Sequence, residues 1–172
     1  LECSKVSISS GWQFLSEPRK DAWNRSVEMV GTLCSFAEKY GVYLTMETLS
    51  PQSTTLVNTI HDMEKMMKEI NSRNFTVTID LDTITNAGES IQQYFDVFGE
   101  KVNHCHYMDH KKDFIGHLAW GDGESIPGKD FEEFNKNDYK GHFTLEYTLN
   151  KYFKEPAKVY QNTWTLLKDY II

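Results

Sequence analysis

Short stretches in which apolar and polar residues alternate recur along the chain. Each is followed by a longer stretch whose apolar residues fall three or four apart. Strict alternation places successive side chains on opposite faces of a strand, and the longer period marks one face of a helix. Strands are expected at residues 5–9 (KVSIS), 42–47 (VYLTME), 75–80 (FTVTID), 102–108 (VNHCHYM) and 142–147 (HFTLEY). Helices are expected at residues 20–40, 60–72, 89–98, 130–137 and 156–170. In the first of these helices Trp23, Val27, Val30, Leu33, Cys34 and Ala37 share a face, and Gly41 stops it. Polar loops separate the elements: one through Pro18, one at 48–58 containing Pro51, one at 82–88, and a long Gly- and His-rich one after Met108.

Strands that each lead into a helix imply a parallel sheet with right-handed crossovers, so the fold class is α/β. About five such βα units fit the 172 residues as an open sheet. A closed barrel of eight units takes about 250 residues, so by length this chain is about five eighths of one.

The alternation also sorts chemistry. Tyr43, Thr45 and Glu47 oppose Val42, Leu44 and Met46, while Thr76, Thr78 and Asp80 oppose Phe75, Val77 and Ile79. His104 and His106 oppose Cys105 and Tyr107, while His142, Thr144 and Glu146 oppose Phe143 and Leu145. Glu47, Asp80, His106 and Glu146 thus stand toward the C-terminal ends of four strands, on the polar side of each. Active sites of parallel α/β folds lie at that end. Two Glu, one Asp and one His form a mixed oxygen and nitrogen set suited to Mn2+, Co2+, Mg2+ or Zn2+. Singly, each has a plainer reading. Asp80 is equally well a helix N-cap, His104 a hydrogen-bonded core residue, and His61 a surface residue. Asp82 has the same parity as Asp80 one step further out, so parity leaves both open. The signal is that four consecutive strands share one logic, because carboxylates facing a barrel interior are costly without a cation or partner.

Composition narrows the partners. The formal net charge is -7, and no Lys/Arg block exceeds pairs such as Lys111-Lys112, which disfavours nucleic acid. No apolar run approaches the ~20 residues that span a bilayer, and no signal peptide opens the chain. Cys3, Cys34 and Cys105 lack metal-type spacing and read as free thiols, which points to a reducing, cytoplasmic location.

Four stretches carry a resemblance: METLSPQSTTLVNT, TIDLDTITNAGESIQQYFDVFGEKVNHCHYMD, GHLAWGDGESIP and YKGHFTLEYTLNKYFKEP. In order and spacing they resemble the xylose-isomerase-like TIM-barrel superfamily, and within it the sugar 3-epimerases of the fructoselysine and tagatose/psicose type. The resemblance implies a partial barrel formed by residues 1–172 as a single domain of βα units 4–8, with the N-terminal three units missing. Such a sheet has two unpaired edges, which allows a fragment of a longer protein or pairing with another copy as a homo-oligomer. It implies one divalent metal ion, Mn2+ first among the choices, held by Glu47, Asp80, His106 and Glu146. Asp80 is preferred to Asp82 on its spacing to Gly88-Glu89, and His106 is chosen because it stands three before Asp109. The implied reaction is ketose 3-epimerisation or isomerisation of a small-molecule sugar through a metal-stabilised enediolate, with Glu47 and Glu146 as the two catalytic acid/base groups.

His117 matches a substrate-contact position of that family. Trp12 and Trp120 are candidates for stacking on the sugar. Gly121-Asp122-Gly123 fits no phosphate-cradling template and carries an acid, so a phosphorylated substrate is not supported. Two other readings are open: a catalytically incomplete sugar-binding module, and an abasic-site endonuclease of the same superfamily. The second would need several zinc ions and more histidines than the six present.

Overall fold

A computed structural model describes residues 3–170. The apolar parity of the strands decides where the core forms. Leu44 and Met46 of β2 (Tyr43–Glu47), Phe75, Val77 and Ile79 of β3 (Phe75–Asp80), and Cys105 of β4 (Val102–His106) are all buried on the helix side. They pack against Val30, Cys34 and Ala37 of α1 (Arg19–Glu38), Met63 and Met66 of α2 (Ile60–Ile70), and Tyr94, Phe95 and Phe98 of α4 (Ile91–Phe98). Phe131 and Phe134 of α5 (Pro127–Lys136) and Leu167 of α6 (Pro156–Leu167) complete the layer.

The sheet is parallel, in the order β1-β2-β3-β4-β5, with β1 at Lys5–Ile8 and β5 at His142–Thr144. It curls. Lys5 Nζ on β1 donates to Asn103 O at 2.7 Å and lies 3.0 Å from His142 Nδ1, so the first strand reaches the last two across the concave side. That face carries Thr45 and Thr78, whose hydroxyls meet at 2.7 Å, and Thr76, which bonds Leu44 O. The architecture is a partial barrel, as the family resemblance implied.

Several boundaries differ from the sequence reading. Residues 82–88 are not a loop: α3 spans Leu81–Ala87, directly after β3. Its N-cap is Asp80, the last residue of the strand, and Gly88 closes it at φ 74°. A helix this short, with two Thr and an Ile, has little propensity of its own, and its cap was hidden inside the strand. β4 ends at His106 and β5 at Thr144, two and three residues earlier than the alternation suggested. The last ladder bond is Tyr107 N to Thr144 O, after which the two chains diverge. Helix α5 starts earlier, at Pro127, where a missing N–H costs nothing.

Candidate metal centre

Glu47, Asp80 and His106 are the final residues of β2, β3 and β4, and Glu146 lies two residues past the end of β5. The pairing of Asp80 with His106 and of His106 with Thr144 aligns those ends in a row. One ligand atom from each of the four residues lies within 4.8 Å of every other. His106 Nδ1 stands 2.8 Å from Glu47 Oε2, 3.1 Å from Glu146 Oε2 and 3.4 Å from Asp80 Oδ2.

Three carboxylates therefore surround one ring nitrogen, which carries at most one proton. Asp80 shows the shortfall most clearly. Its Oδ1 accepts from Thr83 N at 2.9 Å, while its Oδ2 is buried with no hydrogen-bond partner. Only two histidine nitrogens approach that oxygen, at 3.3 and 3.4 Å, without forming a well-aligned hydrogen bond, so a cation would satisfy it better. The donor set and the orphaned oxygen both fit a divalent cation.

Charge is redistributed accordingly. Burial alone would push the His106 imidazolium down, yet the carboxylates of Asp80, Glu47 and Glu146 raise it to about 10. Burial raises the Glu47 carboxyl, and His106 only partly offsets this. Burial also acts to raise Asp80, but His106, His117 and the Thr83 N–H outweigh it and leave the carboxyl lowered. Glu146, half-exposed, is lowered first by His117.

His117 joins the group. Its Nε2 lies 3.3 Å from Asp80 Oδ2 and its Nδ1 3.3 Å from Glu146 Oε2. Burial acts to lower it, and Glu146 and Asp80 raise it instead. Asp82, the alternative to Asp80, turns away: it accepts from Gly116 N at 3.2 Å and from the Asn86 side chain. His104 sits one step deeper, its Nε2 3.1 Å from Thr144 Oγ1, and burial holds it down to about 4.

The two tryptophans are placed elsewhere. Trp120 is 5% exposed and its ring lies 4.7 Å from that of Tyr107, which belongs to the helix side of the sheet. Trp12 is 66% exposed in the loop after β1, its carbonyl held by Arg25.

Asp109, which the sequence reading used only as a spacing marker, is 2% exposed and accepts four backbone N–H groups. The signal for it was the Gly-Asp-Gly that follows. Past the first turn of α3 opens a cavity of about 420 Å³, whose lining includes Ser50, Asn58, Thr59, Asp82, Asn86 and Asp113 but no Lys or Arg.

Similarity to known proteins follows the same lines. A fructoselysine 3-epimerase from Escherichia coli O157:H7 is 26% identical over 139 residues, covering 81% of this chain and 50% of its own. The chain spans about half the length of the curated relatives it matches. Among solved structures, a D-psicose 3-epimerase crystallised in the presence of D-fructose superposes with a TM-score of 0.75 at 17% identity, over 94% of this chain and 62% of the other. The IOLI protein with a binding zinc atom gives 0.79 at 18% identity, over 98% and 63%. These structural likenesses concern the fold. The sequence profile described as Xylose isomerase-like TIM barrel matches residues 1–170. The chain therefore belongs to the xylose isomerase-like TIM barrel family.

Proposed function

We propose that this chain is the metal-holding part of a divalent-metal-dependent ketose 3-epimerase or isomerase. One observation carries the reading: one ligand atom from each of Glu47, Asp80, His106 and Glu146 lies within 4.8 Å of every other. In this reading all four hold one cation. Mn2+ suits the oxygen-rich set best, and the zinc of the IOLI protein shows that a related fold holds a divalent ion. A divalent cation there supplies Lewis-acid stabilisation of the negative charge that develops next to a ketose carbonyl.

The residues do the proton work. Glu47 and Glu146 approach the group from β2 and from beyond β5, on either side of His106. In the metal-free protein burial raises the Glu47 carboxyl, while His117 lowers that of Glu146. One carboxylate removes the proton at carbon 3 and the other returns one to the opposite face. Asp80 and His106 act as ligands only, and His117 contacts the substrate. Residues 1–172 form one domain in this reading, equivalent to βα units 4–8.

The partner is a small-molecule sugar. Among the described residues no helix is long and apolar enough to cross a membrane. Cys34 and Cys105 are buried free thiols, consistent with the cytoplasmic location we propose.

The test is ketose 3-epimerisation with added Mn2+, followed by isotope exchange at carbon 3. Glu47→Gln and Glu146→Gln are each expected to lower turnover by at least ~10³-fold and to weaken the metal. Full turnover by Glu146→Gln would refute the assignment.

A further inference from the structure

We propose that Asp109 is the positioning residue that sets His117 against Glu146 and Asp80. The use of that placement rests on the epimerase reading above; the placement itself does not. The Asp109 carboxylate is 2% exposed, and both its oxygens are fully used. Oδ1 accepts from His110 N at 2.9 Å and Ser125 N at 3.0 Å, and Oδ2 from Gly121 N at 2.9 Å and Gly123 N at 2.8 Å. One side chain thus gathers both ends of the loop that follows β4.

The fold of the loop then follows. Asp109 and Leu118 exchange backbone hydrogen bonds as an antiparallel bridge, at 3.0 and 3.3 Å. Leu118 is 5% exposed and belongs to the interior, so alternation turns its neighbour His117 the other way, into the group at the strand ends. Gly123 makes the approach possible, because a Cβ there would collide with Asp109 Oδ1 and stand 2.8 Å from His110 O. Gly121, at φ 98°, supplies the turn. The tip has other ties, Gly116 N to Asp82 and His117 N to Thr148, but these hold single points.

Asp109→Asn tests this with little change of shape. Its amide NH2 faces two N–H donors in place of an acceptor, so two of the four bonds are lost. The first readout is native-state hydrogen exchange on the intact chain. Gly121, Gly123 and Ser125 should exchange roughly 10- to 100-fold faster, with β2 and β3 amides unchanged. The second is modification by diethyl pyrocarbonate, read by mass spectrometry. His117 should react several-fold faster (about 3-fold or more), while His106 keeps its rate. The third is Mn2+ affinity, which should stay within about 3-fold of the parent.

In the epimerase assay, kcat should fall about 10- to 100-fold with KM little changed, and the loss should vanish in a His117→Ala background. Unchanged exchange or unchanged His117 labelling would overturn the proposal. So would equal acceleration at His106, loss of Mn2+ binding, or additivity with His117→Ala, each of which indicates a general structural role. If the parent turns over no ketose, the functional reading fails, and exchange and labelling still decide the role of Asp109.

Discussion

Asp80 ends one element and starts the next, and its two oxygens face different chemistry. Oδ1 caps α3 through Thr83 N, which fixes the carboxylate plane and directs Oδ2 into the group of His106 and His117. The sequence reading weighed N-cap against ligand as alternatives, and the structure shows that one carboxylate can serve as the first while facing the second. His106 leads to a prediction about pH. In the metal-free protein its imidazolium is raised from 6.5 to about 10, so what it adds to stability is complete below pH 6.5 and is lost as pH rises through about 10. A metal ligand must be neutral, so binding a cation displaces that proton. Apparent Mn2+ affinity should therefore rise by up to ~10-fold per pH unit between pH 6.5 and 9, while apo stability falls across the same range. Calorimetry in buffers of different ionisation enthalpy checks this, because about one proton should leave per ion bound. Affinity independent of pH would show that His106 is not displaced. Asp130 gives a second residue-scale test. Burial and then Asp109 raise its carboxyl to about 7, and its Oδ2 has no partner. A raised folded pKa for an acid means stability present below its ordinary value near 3.8 and lost as pH rises through about 7. Asp130→Asn should hence stabilise the protein at pH 8 by on the order of 1–3 kcal/mol, discounted for partial exposure, and have little effect at pH 4. Urea unfolding at both pH values measures it.

At the scale of elements, strand parity was the legible part. Glu47, Asp80 and His106 lie where alternation put them, because a strand buried on its apolar side admits no slip of register. Strand ends were less legible. Glu146 reaches the group from beyond β5 because that edge strand pairs on one side only and stops at Thr144. Helix α3 was read as a loop, since its cap is a strand residue and its composition favours no helix. Trp120 could not be placed from the sequence, because the loop's course depends on the four bonds to Asp109, whose donors lie as far away as Ser125. Helix α4 offers a simple check on local reasoning. Ser90 and Gln93 form a capping box, so Ser90→Ala should cost about 1 kcal/mol in urea unfolding and leave metal affinity untouched. A loss of metal affinity as well would mean that α4 helps to shape the site.

At the scale of the whole molecule, the curl of the sheet turns separate strand ends into one site. Lys5 bridging to Asn103, on the concave side, is a visible sign of that curl. Strand count and length gave an open sheet of about five βα units, the family resemblance made it a partial barrel, and the five-stranded parallel order agrees. What length and periodicity could not supply was the distance between side chains from four strands, which depends on curvature. An ion bound to the native state alone adds RT ln(1 + [L]/Kd), so Mn2+ at about 100 times its Kd should stabilise the chain by about 2.7 kcal/mol, reversed by a chelator. The most direct measurement is calorimetric titration of the intact chain with Mn2+, repeated on Asp80→Asn, which retains a capping side chain. The account predicts one equivalent per chain and a loss of affinity of about 100-fold or more in the variant. No binding by the parent, or equal binding by the variant, would contradict it.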